Sequence, residues 1–164
     1  MGIFPTSFAD QSIKYRIPYS MPGELIVDTG LTNVEFPAAA FLQNTELPFE
    51  IHAVKLVAAQ DLNAAGQPFV PIADPAPSID QFWRVRIRDT SKINAVITKN
   101  AQLVASLKSD LSGYWEWDYP YTIVNSEGFT ISVDNLLTAP ARLRAAITFI
   151  GYSLVIRPPS QTRG

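Results

Sequence analysis

The chain has 164 residues, 47% of them apolar and only 17% charged, and a formal net charge of −2. That length holds one domain with a core of its own, and the charge fraction, below the roughly 25% of an ordinary soluble domain, marks a surface shared with partners. The 13 basic residues are dispersed, cysteine is absent, and no run of apolar residues is long enough to span a bilayer, which excludes a phosphate-neutralising arm, thiol chemistry with its disulfides and metal sites, and a membrane span.

In chain order the first segment, residues 1–23, carries three prolines and two glycines and reads as an extended N-terminal arm. It lacks the basic-then-apolar order of a secretory signal. Gly2 with Thr6 fits the myristoylation pattern, which short sequences match by chance. Within the arm Ile13, Tyr15 and Ile17 alternate with Lys14 and Arg16, the period of a half-buried strand. A domain follows over residues 24–156, with strands expected at 24–28, 34–36, 48–58 and 67–72 and a short helix at 37–42. The 48–58 segment contains His52, the one histidine of the chain. A single imidazole in a strand supports neither a triad nor a common metal site, and with no orienting partner in view it reads as structural. Between these strands, Asp61-Leu-Asn63-Ala-Ala-Gly66 begins like a calcium loop. It fails at Ala65 and Ile72, where ligands are required, so it reads as a hairpin turn.

The segment FWRVRIRD, residues 82–89, alternates most sharply: Arg84, Arg86 and Arg88 point to one side of a strand, Trp83, Val85 and Ile87 to the other. Three like charges on one face call for something negative opposite, and Glu116 and Asp118 are the candidates within the chain. A strand is expected at 93–98 and a helix at 99–107, KNAQLVASL, with Asn100 as its cap. Residues 114–121, YWEWDYPY, place Trp115, Trp117, Tyr119 and Tyr121 on one face and Tyr114, Glu116, Asp118 and Pro120 on the other. The ring face is a core stripe, a sugar platform or a subunit contact, and Pro120, which cannot donate to a central ladder, argues for an edge strand. Glu116 with Asp118 also forms a carboxylate pair of the kind hydrolases use, but nothing in the sequence supplies a cleft around it. Strands at 119–124, 129–133 and 142–156 complete the domain, and residues 157–164, RPPSQTRG, form a polar tail.

Short strands without long helices, broken by Asn63 to Gly66, Asp74-Pro-Ala-Pro77 and Asn125-Ser-Glu-Gly128, give an all-β fold. The architecture expected is an antiparallel β-sandwich, a jelly roll first and an immunoglobulin-like sandwich second. No catalytic residue, cofactor site or metal site is identified. The candidate interface consists of Trp83, Arg84, Arg86, Arg88, Trp115, Trp117, Tyr119 and Tyr121, residue types enriched at protein contacts.

The stretch RLRAAITFIGYSLVI, preceded by FTISVDNLLTAPA and containing Phe149-Ile-Gly151-Tyr152, resembles the closing strands of small phage head proteins. The likeness covers residues 127–156. It implies a jelly-roll cement or decoration protein that holds neighbouring capsomers together at symmetry axes on the outer surface of a capsid. The implied partners are the major capsid protein and further copies of the chain, as a homotrimer, without direct contact to nucleic acid or membrane. The missing basic arm departs from coat proteins that condense a genome. A spike base, a small coat protein and a carbohydrate-binding module are the other functions open to such a sequence.

Overall fold

The computed structural model describes residues 13–36, 48–72, 79–89, 97–98, 100–109, 112–123, 129–138 and 141–156. The helix expected at 37–42, the tail at 157–164, residues 1–12 of the arm, most of the strand expected at 93–98 and the breaks at 74–77 and 125–128 lie outside them. The described residues form eight strands: β1 (Ile13–Val27), β2 (Val34–Glu35), β3 (Phe49–Asp61), β4 (Trp83–Asp89), β5 (Gln102–Leu103), β6 (Tyr114–Ile123), β7 (Phe129–Asn135) and β8 (Arg142–Ile156). Among these residues helix is confined to a 3-10 turn at Ile79–Phe82 and one α-helical turn, α1, at Val104–Leu107.

The strands form two four-stranded antiparallel sheets, ordered β1-β8-β3-β6 and β2-β7-β4-β5. In these orders β1 pairs with β8, β2 with β7, β3 with β6 and β4 with β5, so the first half of the chain pairs in reverse order with the second, as one long hairpin would. The β3–β8 and β4–β7 ladders roll that hairpin into two layers.

The layers share one core. From the first sheet come Val54, Leu56, Leu143, Ala145, Ile147 and Phe149, and from the second Trp83, Val85, Ile87, Ile131 and Val133. At roughly 1.5–3 kcal/mol for each fully buried Val, Leu, Ile or Phe side chain, this core outweighs any single polar contact in the molecule. Along β4 the alternation is strict, with Trp83, Val85, Ile87 and Asp89 buried and the arginines outward. Prolines respect the ladder. Pro18 and Pro22 lie in β1 and Pro120 in β6, the two outer strands of the first sheet, while central β3 and β8 contain none.

Several local expectations change. The boundary drawn at 23/24 falls inside β1, which runs unbroken along β8 from Tyr15 to Val27. The helix expected at 99–107 shrinks to its last turn, because Gln102 and Leu103 pair with Val85 and Arg84 and the strand ladder wins. Leu103, in extended conformation, precedes that turn with no side-chain cap.

Residues 67–72 are a loop, and its organiser is a buried ion pair. Asp61 ends β3 opposite Arg142, the first residue of β8, and both are buried. Arg142 donates from Nη2 to Asp61 Oδ2 (2.7 Å) and from Nε to Oδ1 (3.0 Å), a two-pronged match of guanidinium to carboxylate. Its remaining donors reach the carbonyls of Gln67 (3.1 Å) and Pro68 (3.2 Å), and the Val70 amide donates to Asp61 Oδ2 (3.1 Å). The Phe69 ring lies 5.7 Å from the Arg142 guanidinium and 5.0 Å from that of Arg144. The aspartate that opens the calcium-like sequence is thus satisfied by an arginine, whose hydrogen bonds hold its carboxyl below the usual carboxylate range. Gly66, at φ 81°, makes the turn in which Gln67 N donates to Ala64 O (3.1 Å).

Candidate functional site

The residues singled out in the sequence fall on β4 and β6, which the topology assigns to different sheets. Arg84, Arg86 and Arg88 lie on the outer face of the second sheet, Arg84 exposed and the other two half-buried. Their cross-strand neighbours on β7 are Asp134, Ser132 and Thr130. Glu35 of β2 pairs with Ser132, in the same row as Arg86. Glu116 and Asp118 therefore do not answer the arginines from an adjacent strand. The carboxylate beside Arg84 is Asp134, which accepts the Asn33 amide at 2.7 Å. Among the described residues Arg84 and Arg88 make no ion pair.

Trp83, grouped with the interface by its sequence neighbours, is a core residue with no exposed surface. The parity that turns the arginines outward turns its indole inward, where Nε1 donates to Asp80 Oδ1 at 3.4 Å. Asp80 in turn pairs with Lys108 Nζ at 2.7 Å.

Residues 114–123 do form an edge strand, but the ring face is divided. Trp115, Trp117 and Tyr121 pack against the core, linked edge-to-face at 5.3 Å between the tryptophans and 6.2 Å between Trp117 and Tyr121. Tyr119 is 75% exposed. The cause is a break in register: Tyr121 faces Ile51 and Glu116 faces Ala53, which leaves four residues of β6 opposite His52 alone, and of these residues 118–120 form an exposed arch. Pro120, without an amide proton, sits in this arch. The Trp117 indole nitrogen is buried with no hydrogen-bond partner among the described residues.

The two segments do meet, with roles opposite to those expected. Tyr121 of β6 donates its phenol proton to Asp89 of β4 at 2.6 Å, joining the sheets across the core. Burial first, and the Asp89 carboxylate second, push the Tyr121 phenol pKa upward, so the hydroxyl stays a donor throughout the neutral range.

His52 also differs from expectation, because it has an orienting partner: Nε2 lies 2.7 Å from Glu50 Oε1. The spacing of two residues along a strand was the signal for this pair, since it puts both side chains on one face. Glu116 and Asp118 are both exposed. Among the described residues no three His, Cys, Asp or Glu side chains gather as a metal site, and no helix is long and apolar enough to cross a membrane. No protein-family model, curated protein or solved structure matches the chain.

Proposed function

We propose that the protein is a structural component of a viral particle, a jelly-roll cement or decoration protein that binds between capsomers on the outer surface of the capsid and stabilises the shell. The observation that carries this reading is the strand pairing. Two sheets ordered β1-β8-β3-β6 and β2-β7-β4-β5 support a jelly-roll reading, in which a long hairpin rolls into two Greek keys, an architecture used by capsid and lectin domains. Of those two uses the first is favoured by the rings of β6, since Trp115, Trp117 and Tyr121 pack against the core and Tyr119 is the ring of that face left exposed.

In this reading the partners are the major capsid protein and two further copies of the chain. The arginine face of β4 meets carboxylates of the shell, with Arg84 and Arg88 available for pairing. Ile13 and Ile156 are register partners at one end of the β1–β8 ladder, and in this reading the expected arms contact neighbouring subunits. A trimer that grips several capsomers gains avidity from geometry, and shell stability rises by mass action on the assembled state.

Sedimentation tests the reading. The expected result is a trimer in solution that pellets with assembled shells and not with dissociated capsid protein. Replacing Arg84 and Arg88 together by Glu is expected to lower pelleting about tenfold or more. A monomer that does not pellet with shells would overturn it, and ring-dependent glycan binding lost in Trp115→Ala or Trp117→Ala would replace it with the carbohydrate-binding alternative.

A further inference from the structure

The single histidine owes its setting to a backbone irregularity. Ladder β3–β8 runs in register from Asp61 opposite Arg142 to Ala53 opposite Ile150; the next pair is Ile51 with Gly151, which leaves His52 as the extra residue of a bulge. Bulges re-aim side chains and are frequent beside binding sites. The same crowding accounts for Gly151: a Cβ there would collide with the carbonyl oxygen of Glu50 and lie 2.8 Å from its carbonyl carbon.

The re-aimed imidazole is held on two sides. Its Nε2 bonds Glu50 Oε1 at 2.7 Å, an oxygen that Arg16 Nε also approaches at 3.4 Å, and the Glu50 side chain is only 12% exposed. The Tyr152 ring meets the imidazole edge-on at 5.1 Å and 84°. A carboxylate can only accept, so Nε2 is the donor in this contact. Beside this pair lies an open hollow of about 570 Å³ lined by residues 18–20, His52 and residues 150–152. That volume falls within the roughly 300–1,000 Å³ of small-molecule sites.

We propose that this hollow binds a neutral sugar ring. Pro18, Ile150 and Tyr152 supply apolar surface for the C–H face of a pyranose. Ser20, the Tyr152 phenol and His52 supply hydrogen-bonding groups of both senses for its hydroxyls. Arg16 and Glu50 are paired at 3.4 Å, so neither presents an unmatched charge to the hollow. Glu50 acts as a positioning residue: it fixes the orientation of His52 before the ligand arrives, which reduces the ordering cost of binding. The site is independent of the particle-binding role and of the β6 rings, none of which line it.

The test is an NMR titration of the ¹⁵N-labelled full chain with the methyl glycosides of glucose, galactose, mannose and N-acetylglucosamine. Concentrations up to about 50 mM detect dissociation constants well into the millimolar range. Saturable shifts centred on residues 18–20, 52 and 150–152 are expected with at least one of the four. His52→Ala and Tyr152→Ala are each expected to weaken that binding about tenfold. Ser20→Ala, at an exposed position of an outer strand, keeps the test decisive if Tyr152→Ala does not fold. The proposal is overturned by the absence of saturable shifts with all four sugars, by shifts centred on residues 115–121, or by binding that survives every variant unchanged.

Discussion

Strands β3 and β8 behave in two ways along their common length. From Asp61–Arg142 to Ala53–Ile150 their register is unbroken. The inward residues fill the core and a buried ion pair closes the far end. Beyond Ala53 the pattern fails three times within a few residues, at the His52 bulge, at Gly151 and at the 118–120 arch of β6. Where the pleat holds, parity dictates what each side chain faces. Where it breaks, Tyr119 leaves the face that parity would give it, and His52 becomes the extra residue of a bulge. The regular half is scaffold, and the hollow proposed to bind a sugar ring lies in the irregular half.

Substitutions at the two ends break this comparison in different ways. Gly151→Val should have the largest effect, because the obstruction is backbone that cannot swing aside; a loss of at least about 4 kcal/mol is expected, read as the shift of a urea midpoint or as failure to melt cooperatively. Asp61→Asn comes next, since it strands Arg142 without its counter-charge, and a fall in Tm on the order of 10 °C is expected.

Its pH profile sharpens the assignment. The folded pKa of Asp61 is depressed below its ordinary value, so the unfolded chain takes up this proton first as pH falls. The stabilisation is therefore complete above about pH 4 and is lost below it as pH drops through the folded value. The wild-type and Asp61→Asn stability curves should converge in acid and stay apart at neutral pH. Tyr121→Phe is the mildest, about 1–2 kcal/mol, because it removes one hydrogen bond and leaves Asp89 buried without that donor. Differential scanning calorimetry at neutral pH resolves it.

What could be read from the sequence follows the same division. The alternation of residues 83–89 and the edge position marked by Pro120 were legible because both are local properties of a strand. Pro18 and Pro22 carried the same edge signal for β1. Residues 67–72 form a loop where their pattern predicts a strand; Pro68 and Pro71 argue against a strand, and the organiser of the loop, Arg142, is distant in sequence. Tyr119 shares the parity of Trp115 and Tyr121, and no pattern within the segment announces that an arch lifts it out of the ladder. That Glu116 and Asp118 belong to a different sheet from the arginines follows from long-range pairing, which periodicity does not encode. The Glu50–His52 pair was within reach through its spacing, whereas the bulge that aims it was not.

The reversed pairing order also governs how the molecule acquires its structure. Among the ladders only β4–β5 joins strands that follow one another in sequence; every ladder of the first sheet spans distant segments, and β8 sits between β1 and β3. Such non-local contacts fold in milliseconds to seconds, because loop-closure entropy is lost before the contacts form. During synthesis the first sheet cannot close until β8 has left the ribosome. Until then β1 and β3 wait with their apolar faces open, and chaperone capture in that interval is the expected fate of the nascent chain.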